Sequence, residues 1–229
     1  MILHVSYANK QMSISQARCS KSAMDHGAKK SISLGEKDLP EWFMEIAGNT
    51  IKSPRGAGYW VWKPFIIWSA LKQMNPDDVL LYTDAGILVN SSLPRYLKSH
   101  KSDIIIFEDT HTHQHYCKGS VLDYFGLRER RDNQADAGMM FFRKTKTSLS
   151  LVSDWLRFCI TPGFVDDSEG VSQNVGEYVE HRHDQAILTC LCLSGGIPFS
   201  RNVMKYTKSK TGPSSLVFLR HRKRNRDYE

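Results

Sequence analysis

Five residues, Val79 to Thr83, followed at once by Asp84-Ala85-Gly86, constrain this chain more than any other stretch. Val-Leu-Leu-Tyr-Thr after Asn75-Pro76-Asp77-Asp78 predicts a buried strand fed by a turn. A carboxylate followed by small residues at the C-terminal mouth of such a strand is where open α/β sheets place ligand chemistry. Asp84 there suits a divalent cation or a ribose hydroxyl, with Ala85 and Gly86 leaving room for the ligand. The same residue would serve equally well as an ordinary strand-to-turn Asp capping the next segment.

The chain around this stretch reads as one large α/β domain. Its 229 residues can bury a substantial core without staples, and no apolar run approaches the ~20 residues that span a bilayer. The opening Met-Ile-Leu-His-Val-Ser-Tyr has the pattern of a short strand and lacks the basic region and cleavage site of a leader. Five cysteines, an odd number without metal-ligand or redox spacing, read as reduced thiols, which places the chain in the cytoplasm. The net charge of +7 is partly a tail effect: residues 220–229 hold five Lys/Arg and two Asp/Glu, leaving 26 basic against 22 acidic residues elsewhere. Residues 1–219 are therefore read as the domain and 220–229 as a basic tail. Such a tail suits phosphate groups on a sugar nucleotide, nucleic acid or the anionic cytoplasmic face of a membrane, or it is simply solvated.

In order, strands and helices alternate. Ile2 to Tyr7 is a central buried strand, residues 11–27 a helix ending at Gly27 with Met12, Ala17 and Met24 as apolar markers, and Lys30 to Leu34 a second strand. Leu39 to Ala47 is a helix with Trp42, Phe43 and Ile46 on one side. After a Gly/Pro loop, Pro64 sits in the first turn of a helix reaching Met74, with Ile67, Ala70, Leu71 and Met74 inward. Ile87 to Val89, Asp103 to Phe107, Ala137 to Phe142 and Leu216 to Leu219 are further strands. Ser92 caps one short helix, and Ser120 with Asp123 forms a capping box for another. Lys146 to Ile160, with Leu149, Val152, Leu156 and Cys159 inward, and Asp184 to Leu193 are helices, while 108–119 and 161–180 are loops. This alternation predicts a mostly parallel, mixed sheet flanked by helices, Rossmann-like in layout.

Further constellations carry polar groups. Asp136-Ala137-Gly138 precedes a buried strand, so a ligand can approach the backbone while Asp136 accepts from hydroxyls. His181-Arg182-His183-Asp184-Gln185 opens an apolar helix, where an anion is stabilised, and its carboxylate and amide suit a sugar, or simply cap the helix. His111, His113 and His115, spaced by two, would meet a metal from one face of an extended strand or else form a solvated loop. Tyr59, Trp60, Trp62, Phe65 and Trp68 divide between core and a stacking wall.

Gly-Tyr-Trp-Val-Trp-Lys-Pro-Phe-Ile-Ile, Leu-Tyr-Thr-Asp-Ala-Gly, Phe107-Glu108, Asp-Ala-Gly-Met-Met-Phe-Phe-Arg-Lys and His-Arg-His-Asp-Gln-Ala-Ile-Leu together resemble small bacterial-type and viral-type glycosyltransferases of the GT-A fold. The series is also similar to the retaining galactosyl- and glycogenin-type family, over residues 1–222 and most closely over 55–190. The resemblance implies a hexosyltransferase using a nucleotide-diphosphate sugar, UDP-linked, and a saccharide or lipid-linked acceptor in surface polysaccharide synthesis. It places Asp84 at the first acidic position of the Asp-x-Asp motif that binds Mg²⁺ or Mn²⁺, but Gly86 stands where the second Asp belongs. It makes His221 the position able to supply a metal or diphosphate contact. Asp136, Ala137 and Gly138 would line the donor sugar, and Ser6 and Tyr7 the base and ribose. Arg55 and Lys63 would hold substrate charge, with Asp84, Ala85 and Gly86 on the donor side. Asp184 and Gln185 would sit by the anomeric carbon, Asp184 as the catalytic carboxylate. Trp60, Trp62, His181 and His183 would face the acceptor.

Two other functions fit parts of the sequence. A sugar-nucleotide nucleotidyltransferase shares the sheet, but Tyr7-Ala8-Asn9-Lys10-Gln11 is not the glycine-rich basic loop such enzymes carry after the first strand. A nucleic-acid-binding protein would use the tail and aromatics, against which stands the acidic run Asp166-Asp167-Ser168-Glu169.

Overall fold

The computed structural model describes residues 1–201, 204–206, 218–221 and 223–228. Its first half holds β1 (Ile2–Tyr7), α1 (Ser13–Asp25), β2 (Lys30–Leu34), α2 (Glu41–Ala47), the irregular turn α3 (Gly56–Tyr59), α4 (Trp62–Gln73), β3 (Val79–Thr83), β4 (Ile87–Val89) and α5 (Leu93–Ser99). Then follow β5 (Ile104–Thr112), α6 (Gly119–Tyr124), β6 (Asn133–Arg143), α7 (Lys146–Ile160), α8 (His183–Ser194), β7 (Met204–Tyr206) and β8 (Phe218–Arg220).

Strand β3 is the centre of a five-stranded sheet of order β2-β1-β3-β6-β5. Its neighbour β1 runs parallel to it, β2 runs parallel to β1, β6 opposes β3, and β5 opposes β6. The sheet is mixed, with parallel pairing confined to one half. Every residue of β3 is buried, and its side chains alternate between two apolar layers. Leu80 and Tyr82 join Val5, Met140 and Phe142 under α4, α7 and α8. Val79 and Leu81 join Met139 and Phe141 on the other face, against Ala23, Leu93 and Tyr96. The period of two, applied to strands with no polar face, explains why helices must cover both sides. A second, three-stranded sheet, β4-β8-β7, sits beside the mouth of β3. No helix of the described residues is long and apolar enough to cross a membrane.

The structure corrects several helix faces. In α1 the buried residues are Ser15, Gln16, Cys19 and Ala23, whereas Ala17 and Met24 are exposed. Polar groups go inward there because each is paired: Gln16 Nε2 donates to the carbonyls of Ser6 and Leu34, and Ser15 Oγ to that of Lys223. In α2 only Phe43 of the expected trio is buried, stacked on Phe65, and Trp42 and Ile46 are each 49% exposed. In α7 the inward stripe is Leu151, Val152, Trp155, Phe158 and Cys159, so Leu149 and Leu156 flank it. Trp155 sets this rotation, since its indole N–H donates to the Asp184 carbonyl at 2.8 Å.

Loop boundaries also differ. Strand β5 continues to Thr112, and His113–Tyr116 is a 3₁₀ turn. Strand β6 begins at Asn133, so Asp136 lies within it. Ser120 does not cap α6, whose flanking residue is Lys118, and Asp123 pairs with Arg128. Within the 161–180 loop the buried Lys118 ammonium collects the carbonyls of Gly163, Asp166 and Ser168. Leu216 and Val217 of the expected last strand lie outside the described residues. The described part of the tail is docked on α1: Asn225 Nδ2 donates to the Lys10 carbonyl and Arg18 lies over the Tyr228 ring.

Because Trp155 is wholly buried and bonded to the segment that carries Asp184, Trp155→Ala is expected to cost about 3–5 kcal/mol of stability. Urea unfolding of the two proteins measures this directly.

Candidate active site

The antiparallel pairing of β3 with β6 brings two sequence-distant acidic segments together. Thr83 pairs with Met139, and the next backbone bond runs from Asp84 N–H to the Gly138 carbonyl at 2.8 Å. Asp84 therefore emerges beside Asp136-Ala137-Gly138. A side chain at Gly138 would press into Arg220, Asp136 and Asp84, so this position must stay bare for the charged groups to converge.

Lys63, from the first turn of α4, is 3% exposed and enters the gap from behind. Its ammonium donates to the Ala137 carbonyl at 3.0 Å and lies 3.1 Å from Asp184 Oδ2 and 3.4 Å from Asp84 Oδ1. Burial alone favours the neutral amine, but Asp184 and Asp84 outweigh it and hold the Lys63 pKa above its ordinary value. Asp184 is itself buried, and burial pushes its carboxyl up to about 6 against the pull of Lys63. Its Oδ2 touches the ammonium without a directed hydrogen bond. Asp84 is the open member of the set, its side chain 40% exposed, and Oδ1 accepts from the Tyr82 hydroxyl at 2.8 Å.

Asp184 is presented by a strained start to α8. His183 adopts φ 45°, a left-handed conformation that costs a non-glycine residue energy. It is held there by its Nδ1–H donating to the Val165 carbonyl and by ring contacts with Tyr59 and Trp60. Burial depresses its pKa to about 4, so the ring is neutral at physiological pH. Gln185 donates to Gln134 at 2.9 Å and to Asp109 at 3.3 Å, and Arg182 lies 3.2 Å from the same Asp109 carboxylate. Arg220, at the end of β8, donates to Asp136 at 2.8 Å.

Two cavities meet here. One, of about 320 Å³, is lined by Arg55, Lys63, Asp109, Asp136, Gly138, Arg182, His183, Asp184, Gln185 and Arg220. The other, of about 490 Å³, is lined by Tyr7, Asn9, Gly56, Trp62, Ala85, Gly86 and Arg224. Trp60 and Asp84 line both. Tyr7 and Trp62 stack at 3.9 Å to form one wall of the second cavity.

Some expected positions fall elsewhere. Ser6 is fully buried within β1 and lines neither cavity. Ala137 contributes only its carbonyl, to Lys63. His181 faces away from the cleft: Lys118 N–H donates to its Nδ1 and its Nε2–H to the Phe164 carbonyl, so it fastens a loop. The three alternate histidines diverge, His111 to Asp109, His115 to Glu177 and His113 into the core, because β5 ends at Thr112. Asp109, Gln134 and Arg220 are cavity or bridging residues that the sequence reading did not single out, and Arg182 was named there only as part of the His181–Gln185 cluster. Gln134 stands two residues before Asp136 on one strand, and the period of two could have found it.

A divalent cation at Asp84 was tested against the donors present. Among the described residues no trio of His, Cys, Asp and Glu donor atoms converges in this cleft. An acid at position 86 would strain the structure, since its Cβ would run into the His221 carbonyl and His221 N–H donates to Gly86 at 2.8 Å. The His221 Nε2 is buried without a hydrogen-bond partner, with its pKa lowered by burial and by Arg18 and Lys223, but His221 lines neither cavity. A cation here would therefore take Asp84 as its protein ligand and its other ligands with a substrate, the usual manner of Mg²⁺ bound with phosphates.

No protein-family model matches the sequence, and a search of curated proteins finds no match. Solved structures do match. The chain superposes on the galactosyltransferase LgtC in complex with donor and acceptor sugar analogs, with TM-score 0.51 and 14% identity over 96% of this chain and 87% of that one. It matches mouse xyloside xylosyltransferase 1, apo form, with TM-score 0.53 and 8% identity over 96% and 98%. This is the GT-A fold of glycosyltransferases. The bifunctional glycosyltransferase WbbM, apo, matches at TM-score 0.51 and 10% identity over 83% of this chain, which spans 37% of WbbM's length.

Restoring the motif in this GT-A scaffold by Gly86→Asp is expected to destabilise the protein by about 1–3 kcal/mol, because the side chain must displace the strand pair β4–β8. Thermal or urea unfolding checks the loss.

Proposed function

We propose that the chain transfers a hexose from a nucleotide-diphosphate sugar to a saccharide or lipid-linked acceptor. The observation that carries this reading is Asp84 standing between two adjoining cavities, with Lys63 buried between it and Asp184. One cavity, walled by the Tyr7–Trp62 stack, suits a nucleotide base and ribose, and the other, rich in carboxylate, amide and guanidinium groups, suits hydroxyls of a sugar. The anomeric carbon would then lie at their junction, near Asp84 and Asp184.

Departure of a nucleoside diphosphate leaves negative charge, which fixed positive groups stabilise most when they need not reorganise. Lys63 is fixed by three contacts, and Arg224 lines the nucleotide-side cavity. A Mg²⁺ or Mn²⁺ ion held by Asp84 would add Lewis-acid stabilisation of the diphosphate when bound. Asp136 and Gln185 would hold donor hydroxyls. Asp184, ionised against Lys63 in a dry setting, supplies the carboxylate that either stereochemical course requires. UDP-hexoses are the first donors to test. A place in surface glycan synthesis, with the docked basic tail facing an anionic membrane, follows from the acceptor class proposed.

A thermal-shift screen of nucleotide sugars with and without Mn²⁺ identifies the donor, and release of nucleoside diphosphate measures turnover. Asp84→Asn and Asp184→Asn are expected to lower turnover by about 10²–10⁴-fold while circular dichroism stays unchanged. A carboxylate raised to about 6 must lose its proton to act, so kcat should climb through pH 6 and level above it, and Asp184→Asn should flatten that limb. The same sign makes Asp184's own contribution to stability greatest at low pH and diminishing as pH rises through 6. Full turnover in both variants would overturn the assignment.

A further inference from the structure

Outside the cleft, the fold gathers three side chains with the donor chemistry of a soft metal site. His113 opens the 3₁₀ turn after β5, Cys117 directly follows that turn, and Cys190 lies midway along α8. They are 2%, 0% and 0% exposed. His113 Nε2 is 3.2 Å from Cys190 Sγ, Cys117 Sγ is 3.9 Å from Cys190 Sγ, and all three donor atoms lie within 4.8 Å of one another. We infer that His113, Cys117 and Cys190 form a buried site for a thiophilic divalent cation, Zn²⁺ by preference.

The dimensions support this. Zn–S bonds of about 2.3 Å and Zn–N bonds of about 2.0–2.1 Å in a tetrahedron set donor–donor edges of roughly 3.5–3.8 Å, the scale found here. A disulfide would instead need the sulfurs at about 2.05 Å, and both cysteines are free. Gln134 Nε2 donates to the other ring nitrogen of His113, Nδ1, at 3.3 Å, which turns Nε2, carrying the ring proton in the metal-free protein, toward the sulfurs. On binding, two S–H bonds break, the His113 ring proton shifts from Nε2 to Nδ1 with loss of the bond from Gln134, two metal–thiolate bonds and one metal–imidazole bond form, and two protons leave.

The site would clamp the end of β5 to α8. That same turn already accepts backbone bonds from Val179 and Arg182, so the metal would fix the approach to His183, Asp184 and Gln185. Its role is positional, remote from Asp84, and its test does not depend on any transferase activity.

The full chain, purified from zinc-supplemented cells and dialysed, should carry one zinc per chain by elemental analysis. Replacing zinc with Co²⁺ should give thiolate-to-cobalt charge-transfer absorption together with the intense d–d bands of a tetrahedral ion. Cys190→Ser and Cys117→Ser should abolish both signals, whereas Cys192→Ser, which removes a buried thiol on the same helix, should keep them. Chelation should lower the wild-type melting temperature, because a ligand bound only by the folded state stabilises it. The cobalt spectrum of the wild-type chain tests the site even if a variant fails to fold. Metal-free wild-type protein that stays spectrally silent with cobalt, full metal in Cys190→Ser, or a Cys117–Cys190 disulfide in a non-reducing peptide map would each overturn the proposal.

Discussion

A buried ammonium orders the cleft. Removing Lys63 from water costs several kcal/mol, and only close opposite charges repay it. Here the return comes from Asp184, Asp84 and the Ala137 carbonyl, which belong to three separate segments of the chain. Without the cation Asp184 would be an unpaired charge in the core, and Asp84 would keep only its bond from the Tyr82 hydroxyl. The ammonium also fixes how far α4, β3, β6 and α8 stand apart at the mouth of the sheet, so packing and site geometry share one constraint. Such a group binds the architecture together more tightly than its net contribution to stability indicates, since breaking a buried pair costs far more than the pair is worth intact.

The backbone does the complementary work. Antiparallel pairing of β3 with β6 lets Asp84 follow directly into the Gly138 carbonyl, and the bare Gly138 leaves space for Asp84, Asp136 and Arg220 to approach. Arg220 arrives on β8, which is tied to β4 by residues 87–89. The small second sheet therefore delivers a cation to Asp136 from the far end of the chain. A site assembled this way depends on long-range register, and one residue of slip in β6 would turn Asp136 to the opposite face.

What could be read from the residues follows from these physics. Strands β1, β2, β3 and β4 were legible to the residue because apolar runs bounded by turn signals need no tertiary information. The α7 limits were equally legible, but its face was not. Leu149 and Leu156 match Leu151 in hydrophobicity, and only the Trp155 bond to the Asp184 carbonyl fixes the rotation. In α1 two of the four inward residues, Ser15 and Gln16, are polar because partners from β1, β2 and the tail satisfy them, and no periodicity of apolar residues could announce that. In the cleft, Asp84, Asp136 and Asp184 stood out as acids beside small residues or at a helix start. Asp109 and Arg220 did not, since each sits in a polar stretch whose path is set by contacts 70 or more residues distant, Asp109 with Arg182 and Arg220 with Asp136. The cysteines illustrate the same limit: Cys117 and Cys190 are 73 residues apart, and spacing rules see only neighbours.

Gly86 shows how one backbone contact can redirect a site's electrostatics. Its carbonyl accepts from His221 N–H, and its missing side chain leaves room for the His221 carbonyl. A second acid at that position would strain the β4–β8 strand pair, and with Gly86 the scaffold keeps that pair unstrained. The consequence is a cleft with less fixed negative charge and with Lys63, Arg220 and Arg224 near it. The basic tail takes part because Ser15 and Asn225 dock it on α1, bringing Arg224 to the wall of the nucleotide-side cavity. On the proposed reading, an anionic diphosphate entering such a cleft would meet guanidinium and ammonium groups already in place. The protein would then need fewer carboxylates to recruit a cation, because part of the neutralising charge is built into the chain.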